Sequence, residues 1–445
     1  MIIAATLLIS TVLTIFIINI CRWIQSEHAS NNRKSTTPLE THPQGIAWLQ
    51  KINLAISRTP FLTTLICVYI IGVVETLVTL VWKRGILGAH SHKHTEQVID
   101  QMVLQHKITS PAKKRNAIIT GADSGIGFEI ARGLLMAGFH VVIASRTPDL
   151  GVKAQHDLKQ LTGSEHISFY TLDLCSFDSV HKFVEKMKSL FSPGDIDVLI
   201  NNAGVMNIPC TVTGDGYEAQ CQTNYISPLL LTLSLLTLMN QDHGQILFAS
   251  SSTLYATTHL DPSMTTTTYG WNGLDHYAYS KMCITQLTRL LGQKLAKQSS
   301  HIKVNCYHPG TVRTNLFAHT TVFTLWVAQY FFDFIMLTPK EGSGTALYLI
   351  MHFLDDDTLH HNNGRYWADG MPQQIPNNVT IRRPASASSP PSSSSSLQSA
   401  NYPTAAATVD MEYLWMYSLK QCGLSPTVID AWIKSTAKPI VESTE

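Results

Sequence analysis

Tyr277 and Lys281 stand four residues apart in the run His276-Tyr277-Ala278-Tyr279-Ser280-Lys281, and on a helix that spacing puts both side chains on one face. An ammonium held beside a phenol favours the phenolate, lowering a pKa that starts at about 10 and bringing proton exchange within reach of neutral pH. Tyr277 would then give or take the proton of an alcohol. Tyr279 is the rival phenol, but it lies two residues from Lys281, faces elsewhere and reads as packing. Upstream, Ala249-Ser250-Ser251-Ser252 closes an apolar run and offers Ser251 to hold a substrate oxygen, with Ser250 and Ser252 as alternatives.

A proton donor of this kind needs a redox partner, and an earlier segment supplies a place for one. Ala117-Ile118-Ile119-Thr120 followed by Gly121-Ala122-Asp123-Ser124-Gly125-Ile126-Gly127 reads as a strand, a tight turn and a helix start. Gly121, Gly125 and Gly127 let the backbone of the turn, with Ser124 and Ile126, approach a pyrophosphate closely. Glycine turns also end strands for purely steric reasons, so the position after a first strand carries the inference. About 20 residues on, an acid would bind ribose hydroxyls and a cation would receive a 2′-phosphate. Arg146 in Ala144-Ser145-Arg146 favours NADP(H); Asp149 keeps NAD as the lesser reading, and a solvated surface arginine is the plain alternative. Asn202, Ala203 and Gly204 in Asn201-Asn202-Ala203-Gly204 suit a backbone that passes close to a cofactor.

These residues need a frame. From about Asn116, short apolar runs alternate with amphipathic helical stretches, which is how a parallel sheet covered by helices is written. Strands are expected over Ala117–Thr120, His140–Ala144, Ser168–Leu172, Val198–Asn201, Ile246–Ser250 and Lys303–Tyr307. Right-handed crossovers between them give an α/β, doubly wound parallel sheet, the Rossmann fold, with its ligand crevice beyond the carboxyl ends of the strands. The motifs above fall at such ends or on the next helix.

The rest of the 445 residues divides by texture. The uncharged run Ile2 to Cys21 is near the length that crosses hydrocarbon, so residues 1–22 read as a membrane anchor; no basic segment or cleavage site marks a signal peptide. Residues 23–60 read as a linker, 61–82 as a second membrane segment carrying one acid, Glu75, and 83–114 as a juxtamembrane linker. An acid in lipid is costly, so Glu75 either faces a partner helix or marks an interfacial segment; the plainer reading, a second span that tolerates its acid, is the favoured one. The catalytic domain is expected over 115–382, a Ser/Pro/Ala-rich disordered insertion over 383–409, and a docking C-terminal helix with its tail over 410–445. A net charge of +1 gives no support to nucleic-acid binding. The eight cysteines lack paired spacing and read as mostly buried thiols, and His90, His92 and His94 read as a solvated stretch, so no metal site is expected.

Five motifs now stand in order: TGxxxGIG at 120–127, NNAG at 201–204, the strand-end serine, YxxxK at 277–281 and PGxVxT at 309–314. The chain from about Asn116 to Asp369 thereby resembles the short-chain dehydrogenases/reductases. The resemblance implies a tetrad of Asn224, Ser251, Tyr277 and Lys281, with Asn224 holding a water in a proton relay and Lys281 and Tyr277 also meeting the nicotinamide ribose. It implies Asp173 near the adenine, and Pro309, Gly310, Val312 and Thr314 in a loop over the nicotinamide amide. Asn-Asn-Ala-Gly-Val-Met at 201–206, the long gap from Ser251 to Tyr277 and His308 to Thr314 look like the retinol and polyprenol dehydrogenase branch. That branch implies an NADP(H)-dependent enzyme of an intracellular membrane such as the endoplasmic reticulum, with a hydrophobic alcohol, aldehyde or ketone as substrate. A homo-oligomer is compatible with it. The apolar segment Val322 to Leu337 then reads as a substrate lid or as core packing. Two other functions fit the same motifs: a steroid or xenobiotic carbonyl reductase, and a catalytically silent, membrane-tethered NADP(H)-binding scaffold.

Overall fold

The computed structural model describes residues 43–59, 62–79, 92–106, 114–268, 270–314, 316, 336–353, 363–382 and 405–436. Eight strands form one sheet in the order β3-β2-β1-β4-β5-β7-β8-β9, where β1 is Asn116–Thr120, β2 His140–Ser145, β3 Ile167–Thr171, β4 Ile196–Asn201, β5 Gln245–Ala249, β7 Lys303–His308, β8 Tyr366–Ala368 and β9 Met371–Gln373. All neighbours run parallel except β8 and β9. The order reverses between β1 and β4, and a doubly wound sheet opens its ligand crevice at that point. A short parallel pair, β6 (His259–Leu260) with β10 (Thr380–Ile381), lies apart from the sheet.

Both faces of the sheet are covered, which is why its strands read as apolar runs and not as alternating ones. Along β1, Ile118 points into one core cluster while Ala117 and Ile119 point into the other; Leu199 against Val198 and Ile200 in β4 repeats the pattern. One face carries α3 (His92–Gln105), α4 (Gly125–Met136), α5 (Pro148–Thr162) and α9 (Pro339–Phe353). The other carries α6 (Phe177–Leu190), α7 (Ser227–Leu235) and α8 (Gly273–Lys297), together with the C-terminal α10 (Ala405–Gln421) and α11 (Pro426–Ser435).

Several elements lie otherwise than the sequence suggests. Residues 83–114 are not only a linker, because α3 buries Ile99, Met102 and Val103 in the domain core. Asp100 on α3 pairs with Arg132 at 2.9 Å and with Lys340 at 2.6 Å, and His92 Nδ1 meets Glu341 at 2.9 Å, so His92 is engaged with the domain and not merely solvated. The expected second membrane segment contains α2 (Thr64–Val78), 15 residues long, which packs on the domain beside α1 (Pro43–Ser57). Among the described residues no helix is long and apolar enough to cross a membrane. The anchor at 1–22, His90 and most of the lid at 322–337 lie outside the described residues. So does most of the 383–409 segment, except that residues 405–409 already belong to α10.

Beyond that segment, Leu414, Trp415 and Leu419 of α10 are buried in the main core, and the Tyr225 hydroxyl bonds Ser418 Oγ at 2.6 Å. Ser418→Ala would leave the buried phenol without its partner, and we expect a loss of about 1–3 kcal/mol. The measurement is a urea midpoint at unchanged slope.

Candidate active site

The turn after β1 is shaped by what a side chain would strike. Gly121 and Gly125 hold φ of +64° and +59°, and a Cβ on Gly121 would meet Ala203 Cα at 2.8 Å. A Cβ on Gly127 would lie 2.3 Å from the Gly121 carbonyl oxygen and 2.5 Å from Asn202 Nδ2. Asn202 Nδ2 donates to the carbonyls of Thr120 and Gly121 at 3.1 Å each, and Ala203 N donates to Thr120 Oγ1 at 3.0 Å. Turn 121–127 and turn 201–204 are therefore one bonded unit at the switch point, ending at the N-terminus of α4 behind Ser124 and Ile126. Such a cradle of close backbone and free helix N–H groups fits a dinucleotide pyrophosphate.

Around it lie the other expected contacts. Arg146 is exposed just past β2, and Asp149 sits exposed in the first turn of α5. Asp173, after β3, accepts from Cys175 N at 2.9 Å through its own side chain. Gly310 has φ +84°, Val312 bridges to Leu337, and Thr314 Cγ2 lies 3.3 Å from where a Cβ on Gly125 would stand. The stretch Pro309 to Thr314 thus reaches back over the glycine turn.

The helix α8 opens with a capping box, Asn272 and Asp275, which sets its first turn and with it Tyr277 and Lys281. Lys281 Nζ donates to the Ala249 carbonyl at 2.8 Å and lies 5.6 Å from the centroid of the Tyr277 ring. Ser251, two residues past β5, lies close enough to the Tyr277 phenol to favour its ionised form. The lowering expected from the 277–281 spacing is not what the structure shows: burial pushes that phenol up to about 12 despite the opposing effect of Ser251, and the negative charge of Glu75 adds to the rise. Burial likewise pushes the Lys281 ammonium down to about 8. Of the serines, Ser250 turns away to Thr285 Oγ1 at 2.6 Å and Ser252 bonds Glu75, which leaves Ser251 with the phenol. Tyr279 is fully buried in the core, away from Lys281.

Asn224 is placed by a feature the sequence does not announce: residues Gln222–Ile226 form a π-helical turn before α7. Asn224 is buried within that turn. Its Nδ2 donates to the Val205 carbonyl at 2.9 Å and to Ser280 Oγ at 3.2 Å, and its Oδ1 accepts from Val205 N at 2.9 Å. The side chain therefore brackets the NNAG turn against α8. A Cβ on Gly204 would come within 3.1 Å of Asn224 Oδ1 and 3.4 Å of Lys281 Nζ, so Gly204 keeps that corner open.

Two further groups were not foreseen. Glu75 of α2 is buried beside these residues, accepting from Ser252 Oγ and Thr311 Oγ1 at 3.0 Å each and pairing closely with His308 Nε2. Burial opposes its ionisation, but the charge of His308 and the three hydrogen bonds outweigh that, and the carboxyl lies below its ordinary range. Among the described residues Glu218, Cys221 and His276 also gather within 4.8 Å, the one group there with metal-ligand atoms. Glu218 accepts from Cys221 N at 2.8 Å as a helix cap, which accounts for it without an ion.

The family model of the short chain dehydrogenases matches residues 115–322, the span that holds the turn, Asn224, Ser251, Tyr277, Lys281 and the 309–314 loop. Human polyprenol dehydrogenase is 32% identical over 244 residues, covering 54% of this chain and 73% of that protein. Human retinol dehydrogenase 13 is 31% identical over 275 residues, covering 61% and 80%, and the chloroplastic short-chain dehydrogenase TIC 32 A of Brassica napus is 34% identical over 272 residues, covering 58% and 81%. With its glycine cradle, its Tyr277–Lys281 pair and these relatives, the chain belongs to the short-chain dehydrogenase/reductase family, in the branch of the retinol and polyprenol dehydrogenases, as an NAD(P)-dependent oxidoreductase acting on CH–OH and carbonyl groups.

Proposed function

We propose that this enzyme interconverts a hydrophobic, retinoid- or prenol-like alcohol and its aldehyde or ketone with NADP(H), at an intracellular membrane such as the endoplasmic reticulum. The observation that carries the reading is the meeting of Ser251, Tyr277 and Lys281 beside the bonded unit of turns 121–127 and 201–204. When bound, the nicotinamide cofactor supplies or accepts the hydride. Tyr277 gives its phenolic proton to the carbonyl oxygen in reduction and takes it back in oxidation. Ser251 holds that oxygen, Lys281 fixes the ribose side of the cofactor, and Asn224 keeps the NNAG turn against α8. Pro309, Gly310, Val312 and Thr314 would hold the nicotinamide end of the cofactor, and Asp173 its adenine end.

A greasy substrate is supported by the pocket wall, where Met206, Leu274 and Val68 cluster with Tyr277. The names of the polyprenol and retinol dehydrogenase relatives point the same way. Membrane association is supported by the uncharged run Ile2 to Cys21 and by Leu65, Tyr69 and Val73, four residues apart and exposed on the outer side of α2. The deciding experiment incubates membranes carrying the protein with NADPH or NADP and a lipid mixture, and identifies which alcohol or carbonyl changes. Conversion of water-soluble carbonyls alone would overturn the lipid reading.

Arg146 is the residue assigned to the 2′-phosphate. Losing a charge-assisted hydrogen bond costs about 1.5–3 kcal/mol, so Arg146→Ala should weaken NADPH by about tenfold or more and leave NADH nearly unchanged. Equal losses for both cofactors, measured by fluorescence titration, would remove the assignment.

A further inference from the structure

We propose that Glu75, on a helix outside the matched catalytic span, is a positioning residue for the reaction: it ties the loop after β5 to the loop after β7 across the active site. The inference rests on the roles proposed above for Ser251 and the 309–314 loop. Its ground is geometric. One carboxylate oxygen of Glu75 accepts from Ser252 Oγ and from Thr311 Oγ1, both at 3.0 Å, while the other pairs with His308 Nε2. Ser252 is the neighbour of Ser251 and opens the 3-10 turn Ser252–Ala256. His308 ends β7, and Thr311 lies inside the loop assigned to the nicotinamide, with its carbonyl held by Leu337 N at 3.0 Å. A single side chain therefore bonds both loops that must keep a fixed separation if substrate oxygen and nicotinamide are to meet.

The helix that brings Glu75 also packs against Tyr277. Val68, two turns before Glu75 on α2, packs with Tyr277, Met206, Leu274 and Leu316. Cys67 and Ile71 enter the main core, so α2 is seated by apolar burial and Glu75 is aimed inward by that seat. An ionised carboxylate buried in this way is stable only with its donors in place, and two loop hydroxyls and the imidazole at the end of β7 provide that. The energy that satisfies the charge is the same energy that fixes the loops. An alanine would free both loops and leave His308, Ser252 and Thr311 without their shared acceptor.

The test uses the full chain in detergent or membranes, with Glu75→Ala, Glu75→Gln and Thr311→Val beside wild type. Three quantities are read on each: affinity for whichever of NADPH and NADH wild type binds more tightly, kcat and KM with a carbonyl substrate, and the melting temperature. For Glu75→Ala we expect kcat and cofactor affinity each to fall by about tenfold or more, the worth of a lost hydrogen bond to a charged group, with substrate KM moving much less. Glu75→Gln keeps an acceptor for the two hydroxyls and should recover part of the loss, while Thr311→Val should reproduce the cofactor part alone. If Glu75→Ala does not fold, the other two variants decide. Folded variants within about twofold of wild type in both kcat and cofactor affinity would overturn the proposal, as would losses that merely track the folded fraction. Cofactor affinity needs no substrate, so failure of the lipid reading and failure of this proposal are read separately.

Discussion

Tyr277→Phe is expected to lower kcat/KM for the carbonyl–alcohol reaction by about 10²–10⁴-fold while cofactor binding and melting temperature stay near wild type. The ring is buried and packs with Met206, Leu274 and Val68, contacts that phenylalanine reproduces, so the fold loses only the hydroxyl. Steady-state kinetics in both directions, with parallel cofactor titration, is the measurement. Full turnover in the folded variant would remove Tyr277 as the proton donor. The pH profile adds a second reading of the same site. The phenol, pushed up to about 12, is protonated throughout the neutral range, so wild-type reduction should be flat there. It should fall as pH rises through about 8, because burial has brought Lys281 down to that value and above it the ammonium loses its charge.

The second large effect is expected from one methyl group. In Gly127→Ala the new Cβ would stand 2.3 Å from the Gly121 carbonyl oxygen and 2.5 Å from Asn202 Nδ2. Neither atom belongs to a flexible side-chain end: the first is backbone, and Asn202 is itself held by the carbonyls of Thr120 and Gly121 and by the Tyr307 hydroxyl. The turn must open, and strain of this kind costs about 1–3 kcal/mol. Because the opened turn no longer presents its N–H groups together, cofactor affinity should fall by up to about 10²-fold. Isothermal titration with NADPH and a thermal melt check this together. Unchanged affinity would mean that the cradle is not the pyrophosphate site.

The strands of the sheet were legible because a parallel sheet buried on both faces leaves uninterrupted apolar runs, and all six expected strands lie within two residues of their observed bounds. The short strands β6, β8, β9 and β10 escaped notice, since two or three residues carry no period. Hydropathy alone cannot tell lipid from a protein core, so the segment around Glu75 reads as a span with an acid in it. Its alternative, an acid facing a partner, is what the buried Glu75 shows, although the partners are loops and not a helix. Asn224 was found only through resemblance, because a π-helical turn has no sequence signature.

By itself the sequence determined which chemistry was on offer: a phenol and an ammonium one helical turn apart, a hydroxyl at a strand end and a glycine turn after a first strand. Those are local properties, set by the spacing of a helix and the alternation of a strand. Only the tertiary structure decided which of Ser250, Ser251 and Ser252 lies by Tyr277, that turns 121–127 and 201–204 form one bonded cradle, and that α2 brings Glu75 to the loops beside it. Each of these depends on residues far apart in the chain. Burial, close packing and the need to satisfy a buried charge bring them together, and no spacing rule along one segment encodes them.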